Sequence, residues 1–110
     1  MIRTKDGVVL ARDYEVADMF VSRALGVMFR RSFPGEALVF DFPRERRAWI
    51  HMIFVFFPID VIFLDEDNAV VSKKTLRPWI GYASERASKV IEMPAGAAET
   101  VGSGDRLVIA

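Results

Sequence analysis

The single histidine of the chain and a nearby aspartate interrupt an apolar run, HMIFVFFPID, at residues 51 to 60. An imidazole held by a carboxylate acts as a general base or a metal ligand, so His51 and Asp60 are the first candidates for chemistry. The alternative is structural: Asp60 accepts backbone N–H groups at the start of a strand, and His51 lies at the rim of the fold. In both cases the carboxylate must be paired, hydrogen-bonded or protonated, because an uncompensated buried charge is costly.

Aromatic residues beside a cation form a second candidate site in the segment RPWIGYASERAS, residues 77 to 88. We expect residues 76 to 88 to form a loop, because a proline and a glycine interrupt any regular pattern there. Trp79 and Tyr82, next to Arg77, would then stack on a ligand ring or anchor a partner protein. Alternatively, they would fold back over the end of the core as a lid.

Composition excludes several kinds of chemistry. The chain has no cysteine, which rules out disulfides, thiolate metal sites and cysteine nucleophiles and fits a reducing compartment. The acidic stretch DEDN, residues 65 to 68, lacks the glycine and closing glutamate of an EF-hand and predicts a hairpin turn instead. We therefore expect neither a metal nor a cofactor.

The charge balance argues against nucleic acid as a partner. Fifteen basic and fifteen acidic side chains give a net charge of zero. Arginines do bracket the predicted strand at residues 37 to 42, but acidic residues are interleaved with them, which predicts solvated loop charges and not an anion-binding patch. These arginines are Arg30, Arg31, Arg44, Arg46 and Arg47, and the acidic residues are Glu36, Asp41 and Glu45.

Local patterns predict about seven short strands and one principal helix. The dipeptide Asp6-Gly7 predicts a β-hairpin that joins residues 2 to 5 with residues 8 to 12. Apolar residues at helical spacing, followed by Gly26, predict the helix over residues 16 to 25. Further strands are predicted at residues 37–42, 49–56, 59–64, 69–75, 90–93 and 106–109, with the charged segment PRERR, 43–47, as a connection.

The most apolar stretch runs from Ala48 to Leu64 and raises the question of a membrane span. It is at the lower length limit for a spanning helix and contains an aspartate and a proline, so we expect no membrane insertion. Because successive residues are apolar, we interpret it as two strands that are covered on both sides.

Together these elements predict an α+β, mainly β fold in a single domain over residues 1 to 110. Its core would be a barrel or a sandwich, with the helix covering one side. The N-terminal residues show no signal-peptide pattern, so we expect a cytoplasmic location.

Three blocks occur in a recognisable order: SRALGVMFRR (22–31), HMIFVFFPIDVIFLDED (51–67) and VIEMPAGAAETVGSGDRLVI (90–109). They resemble the domain-of-unknown-function family 192, whose pattern runs R-x-x-G-L-M, W-M-K-N-T-x-x-P-L-D-x-x-F, L-E-x-P-x-G and G-D. The resemblance implies a small prokaryotic protein with a compact, barrel-like β domain, a short helix and no established activity. The matching residues are Arg23, Gly26, Met28, Met52, Pro58, Asp60, Phe63, Glu92, Pro94, Gly96, Gly104 and Asp105.

The chain departs from the family pattern around the central methionine. His51 replaces the tryptophan, and Ile53, Phe54 and Val55 replace the polar lysine, asparagine and threonine. A function carried by that polar triplet would be absent here.

The function expected from these observations is binding and not catalysis. The partner would be a small apolar or amphipathic ligand or another protein, contacted at one end of the core beside Trp79, Tyr82 and Arg77. Two alternatives stay open. One is an enzyme that uses Asp60 and His51 as an acid–base pair, and the other is a subunit of a homo-oligomer whose apolar excess is an interface.

Overall fold

A computed structural model describes residues 1–17, 31–33 and 35–110. These residues form eight β-strands and no helix. The strands are β1 (Ile2–Thr4), β2 (Val9–Ala11), β3 (Glu15–Val16), β4 (Leu38–His51), β5 (Ile59–Leu64), β6 (Val70–Leu76), β7 (Tyr82–Pro94) and β8 (Leu107–Ile109).

The strands form two sheets. One has three strands in the order β2-β1-β8, and the other has five in the order β3-β4-β7-β5-β6. All neighbours are antiparallel except the short pair β3 and β4. A bridge between Ala69 and Arg106, with a 2.7 Å bond from Val70 N to Asp105 O, links the end of one sheet to the other.

The hairpin predicted at the N-terminus is confirmed. β1 pairs with β2, and Gly7 N donates to Thr4 O at 3.0 Å while Thr4 N donates to Val8 O at 2.8 Å. Gly7 has a φ of 100°, a conformation that glycine adopts at little cost. Asp6 is not in the left-handed region, so the turn is not the type I′ turn expected from the dipeptide.

The core lies on both faces of the five-stranded sheet, and β5 contributes side chains to both. All six residues of β5 are buried, as predicted for a strand that is covered on both sides. Val61 and Phe63 belong to a first apolar cluster that includes Met52 and Val55, while Ile62 and Leu64 belong to a second. The second cluster also contains Ile2, Ala11 and Leu107, so the three-stranded sheet covers that face and the core is a sandwich.

The predicted α+β class is wrong for the part of the chain that the structure describes, which is all-β. The helix was predicted over residues 16–25, but Val16 lies in β3, where it pairs with Val39 of β4. Ala17 N continues this pairing with a 2.9 Å bond to Val39 O, so sheet hydrogen bonds replace the first turn of the expected helix. The rest of that helix lies outside the described residues.

Two strands are longer than the sequence patterns predict. The charged segment 43–47, expected as a connection, lies inside β4, and the expected loop at 76–88 contains the first half of β7. Pairing in register from Arg46–Ala87 to His51–Tyr82 holds these polar stretches as strands. Pro43 is accommodated because the ladder is interrupted between Asp41 and Arg46.

The stretch from Ala48 to Leu64 is the end of β4, a turn region and β5, and not one helix. The strand predicted over 49–56 therefore ends at His51. Among the described residues, no helix is long and apolar enough to span a membrane.

One carboxyl group lies inside the core. Glu92 on β7 pairs with Leu38 and Val61, two members of the first cluster, and is 4% exposed. Burial disfavours its charged form and raises its pKa from 4.5 to about 7. Ionisation of Glu92 therefore destabilises the folded state relative to the unfolded chain.

This cost predicts a specific pH dependence of stability. Because the folded-state pKa is the higher one, the stability from neutral Glu92 is complete below pH 4.5 and is lost as the pH rises through about 7. A pKa difference of this size corresponds to about 3 kcal/mol. Glu92→Gln should therefore gain about 3 kcal/mol relative to the wild type between pH 4.5 and pH 8, measured by guanidinium denaturation. An equal difference at the two pH values would contradict the assignment.

Candidate functional site

Two loops meet at one end of the five-stranded sheet, and the backbone of Met52 joins them. Met52 N donates to Gly81 O, and Met52 O accepts from Trp79 N and from Val55 N, each at 3.0 Å. The Met52 side chain is fully buried in the first apolar cluster. Core packing therefore fixes the position of both the 52–58 segment and the 77–81 segment.

These loops and the adjoining strand ends carry an exposed apolar surface that we call the aromatic end. Seven of the twelve large apolar residues that are exposed in the described part of the chain lie here. The Trp79 ring contacts those of Phe54 and Phe56, with centroid distances of 5.4 and 5.5 Å, and the Trp49 and Tyr82 rings lie 6.1 Å apart. The seven residues are Trp49, Ile53, Phe54, Phe56, Trp79, Ile80 and Tyr82. An exposed apolar concentration of this kind is typical of interaction surfaces.

Two of these aromatic residues have strained backbones. Phe54 has a φ of 62° and Trp79 a φ of 68°, in the left-handed region that bulky residues rarely adopt. Each such residue costs about 1–3 kcal/mol and persists only where the surroundings enforce it. The bond from Trp79 N to Met52 O supplies that enforcement for Trp79. Strain concentrated at exposed rings favours a functional role for this end.

Gly81 is required where the two loops touch. A Cβ atom on this residue would lie 2.7 Å from Arg77 O, 2.8 Å from Arg77 N and 2.8 Å from the Met52 Cγ. The loop thus closes on itself, with Gly81 N donating to Arg77 O at 3.0 Å. This contact turns Trp79 and Ile80 outward, and Ile80 is 74% exposed.

A groove of about 500 Å³ runs beside the aromatic end, and we call it the cationic groove. It lies between the end of β6 and the start of β7. Its charged lining residues are both basic, and neither forms an ion pair with a described residue. The lining residues are Lys74, Thr75, Leu76, Arg77, Ile80, Gly81 and Tyr82. Arg77 and Tyr82, predicted as site residues, thus share one groove, and Trp79 lies between them in the chain.

Asp60, also predicted as a site residue, is elsewhere and is fully engaged. One carboxylate oxygen accepts from the Thr75 hydroxyl at 2.6 Å, and the other accepts from Gly96 N and Ala98 N, each at 3.0 Å. The residue is only 2% exposed. Asp60 therefore ties β5 to β6 and to the turn that follows β7.

His51 is exposed at the end of β4, where it pairs with Tyr82. It therefore adjoins the aromatic end and takes no part in the hydrogen bonds that occupy Asp60. The structure does not bring the two together as an acid–base pair. In the described ranges, no three His, Asp or Glu side chains are grouped as metal ligands would be.

Sequence reasoning missed the larger half of the aromatic end. Trp49, Ile53, Phe54 and Phe56 were assigned to a strand buried on both sides, because every position in that stretch is apolar. Only Met52 and Val55 of the turn after β4 are buried. The one available signal was Pro58, which ends a strand but does not say which neighbouring rings face water.

The described part of the chain is an all-β sandwich, and comparison with known proteins places the chain in a family. Residues 1–109 match the model of DUF192, described as "Uncharacterized ACR". The chain belongs to this family, as its sequence blocks indicated.

Curated relatives support the same assignment without adding an activity. A UPF0127 protein of Pyrococcus abyssi is 51% identical over 85 residues, which cover 74% of this chain and 71% of the relative. A UPF0127 protein of Pyrococcus furiosus is 38% identical over 97% of this chain and 95% of the relative.

Two crystal structures share the fold. A protein of Sinorhizobium meliloti 1021, provisionally described as a transcription regulator, has a TM-score of 0.82 and 26% identity over 97% of this chain and 88% of its own. A protein of unknown function from Novosphingobium aromaticivorans DSM 12444 also has a TM-score of 0.82, with 22% identity over 98% of this chain and 81% of its own.

The Gly81 contact is tested by Gly81→Ala. The added Cβ would lie below 3.0 Å from Arg77 backbone atoms in the same loop and from the Met52 side chain in the other. Both the 77–81 loop and its contact with Met52 must therefore shift, and we expect a loss of stability of about 1–3 kcal/mol. Tryptophan emission should also shift, since Trp79 is held by the same junction. Gly102→Ala is the matched control, because its nearest neighbour would be 4.0 Å away, and it should change stability by less than about 0.5 kcal/mol. Equal effects of the two changes would count against the junction.

The role of Asp60 is tested by Asp60→Ala. Two backbone N–H groups and the Thr75 hydroxyl lose their acceptor, so we expect a loss of about 2–5 kcal/mol in guanidinium denaturation. Asp105 provides a control, because it is exposed and accepts from the single N–H of Gly102. Asp105→Ala should cost less than about 1 kcal/mol. A neutral Asp60→Ala would refute the structural role.

Proposed function

We propose that this protein is a binding domain for another protein and that the aromatic end is the contact surface. The observation that carries the proposal is the concentration of exposed apolar residues there, two of them on strained backbone. Tryptophan, tyrosine and arginine dominate the binding energy of protein interfaces. Trp79, Tyr82 and Arg77 supply all three residue types at this end.

The shape of the surface favours a protein over a small molecule. Small-molecule sites are concave and bury most of the ligand, whereas here the exposed rings lie on two loops and the adjoining strand ends, beside a groove. Trp49 is 63% exposed and Trp79 is 48% exposed, so both rings are available to a partner of larger area. Loss of this exposed apolar area on docking is the driving force.

Charge favours a protein over nucleic acid. The net charge is zero, and the basic residues near the aromatic end are few. A regulatory role, as in the description of the Sinorhizobium structure, would use a macromolecular surface of this kind. A cytoplasmic location, expected from the cysteine-free sequence, is part of the proposal.

Site-specific cross-linking in cells of the source organism tests the proposal. Benzoylphenylalanine replaces Phe56 at the aromatic end or, as a matched control, Val9 in β2. The two residues are 46% and 47% exposed. We expect a discrete cross-linked protein at Phe56 only, which is then identified, purified and titrated against the full chain.

In that titration Phe56→Asp should weaken binding at least about tenfold, because a carboxylate would replace an apolar contact in the interface, whereas Val9→Asp should not. Both variants should keep the wild-type unfolding midpoint, since both positions face water. A product made only of two copies of this chain would establish the homo-oligomer instead. Equal cross-linking at both positions, or none at Phe56, would overturn the proposal.

A further inference from the structure

Within the described residues, the outer edge of β6 is unpaired over most of its length, and the end of this strand lines the cationic groove. β6 is the last strand of the five-stranded sheet. Only its first residue is bonded outward, through Val70 N to Asp105 O at 2.7 Å and Gly104 N to Val70 O at 2.9 Å. From residue 71 to 76, no described residue forms a backbone hydrogen bond on that side. Open edges of this kind are templates for another strand.

The facing wall of the groove is the start of β7, whose pairing is also one-sided. β5 pairs with residues 89–94 of β7, whereas residues 82–87 pair with β4 alone within the described chain. The groove is lined by Lys74, Thr75 and Leu76 from the end of β6, together with Ile80 from the following loop and Tyr82 from the start of β7. The groove therefore brings residues of the edge strand β6 together with the exposed side chains of Ile80 and Tyr82.

We propose that the partner's contact segment is an extended, acidic and apolar stretch of chain that adds to β6 as a further strand in the cationic groove. This rests on the proposed function and specifies how the partner binds. Main-chain hydrogen bonds to β6 supply affinity, while alternate side chains of the added strand face the groove. Its apolar residues meet Ile80 and Tyr82, and its carboxylates meet Lys74 and Arg77.

Charge complementarity selects this occupant over a second copy of the chain. Lys73 and Lys74 both lie on β6, so two copies paired edge to edge would bring lysines of one copy close to those of the other. Like charges opposite each other destabilise a strand pair. Lysine on an edge strand disfavours self-pairing in this way while it attracts an acidic strand. The groove has no acidic lining residue, so nothing in it repels a carboxylate.

The test begins with a displayed library of random dodecapeptides selected against the full-length chain. We expect enriched sequences in which apolar residues alternate with other residues and at least one Asp or Glu is present. The best peptide is then synthesised in two versions. One has N-methyl groups on its odd-numbered residues, and the other has them on its even-numbered residues; we call these the two registers. Each residue of a strand donates its N–H to one side only, so one register should lose at least about tenfold in affinity and the other should change little.

Charge-reversal variants test the groove itself. The double variant Lys74→Glu/Arg77→Glu should weaken peptide binding at least about tenfold, because two attractions become repulsions. Lys5→Glu/Arg12→Glu is the matched control, since it makes the same charge change at exposed positions away from the groove and should leave affinity unchanged. Hydrogen exchange should show new protection in residues 71–76 when the peptide is bound.

The outcomes separate this inference from the proposed function. If no peptide is enriched, or if both N-methyl versions lose the same affinity, strand addition is overturned. The proposed function still stands in that case if Phe56→Asp weakens binding of the cross-linked partner. Light scattering that shows a dimer strengthened by Lys74→Glu/Arg77→Glu would assign the edge to a second copy and overturn the inference. Loss of affinity in only one N-methyl register, together with weaker binding by Lys74→Glu/Arg77→Glu, supports the inference.

Discussion

Burial of both faces of β5 is the constraint on which the rest of the structure depends. Its residues alternate between two apolar clusters, one covered by the three-stranded sheet and the other completed by Met52 and Val55 from the loop after β4. A polar group in such a strand is tolerated only when its hydrogen bonds are complete. Asp60 meets this condition through three bonds, and in doing so it attaches β6 and the turn after β7 to β5.

The loop after β4 both completes the first apolar cluster and exposes part of the aromatic end. Met52 and Val55 turn inward to complete the core, which leaves Ile53, Phe54 and Phe56 on the outside. The backbone bonds of Met52 then hold Trp79 against the same surface. The loop accepts left-handed conformations at two bulky residues to reach this arrangement, and core burial supplies the free energy that maintains them.

The arrangement also explains why exposed apolar rings lie close to a strand edge that no described residue pairs with. Residues 104 and 105 bond to the backbone of Val70, the first residue of β6. The rest of β6 extends past these bonds. Its outer edge therefore borders the groove and the exposed rings at the same time. A partner that contacts the aromatic end would lie within reach of the β6 backbone. The aromatic end and the outer edge of β6 would then act as one contact surface.

Some of this could be read from the residues alone. Local chemistry determined the first hairpin, through Asp6-Gly7, and the doubly buried β5, through an unbroken run of β-forming apolar residues. The three ordered blocks determined the family, and the acidic residues at 65–68 determined a turn, in which the Asp65 carboxylate accepts from Asp67 N and Ala69 N. These features depend on side chains close together in sequence, which is why local patterns predict them.

Tertiary structure alone decided the rest. Val16 joins a strand because Val39 is available to pair with it, and the polar stretches of β4 and β7 are strands because each supplies the other's hydrogen bonds. Asp60 became a structural anchor, and His51 a surface residue beside Tyr82, because of partners distant in the chain. Strand pairing is a long-range outcome, and so is the choice of which residues are buried in a uniformly apolar stretch such as 49–56; the local pattern there does not decide either.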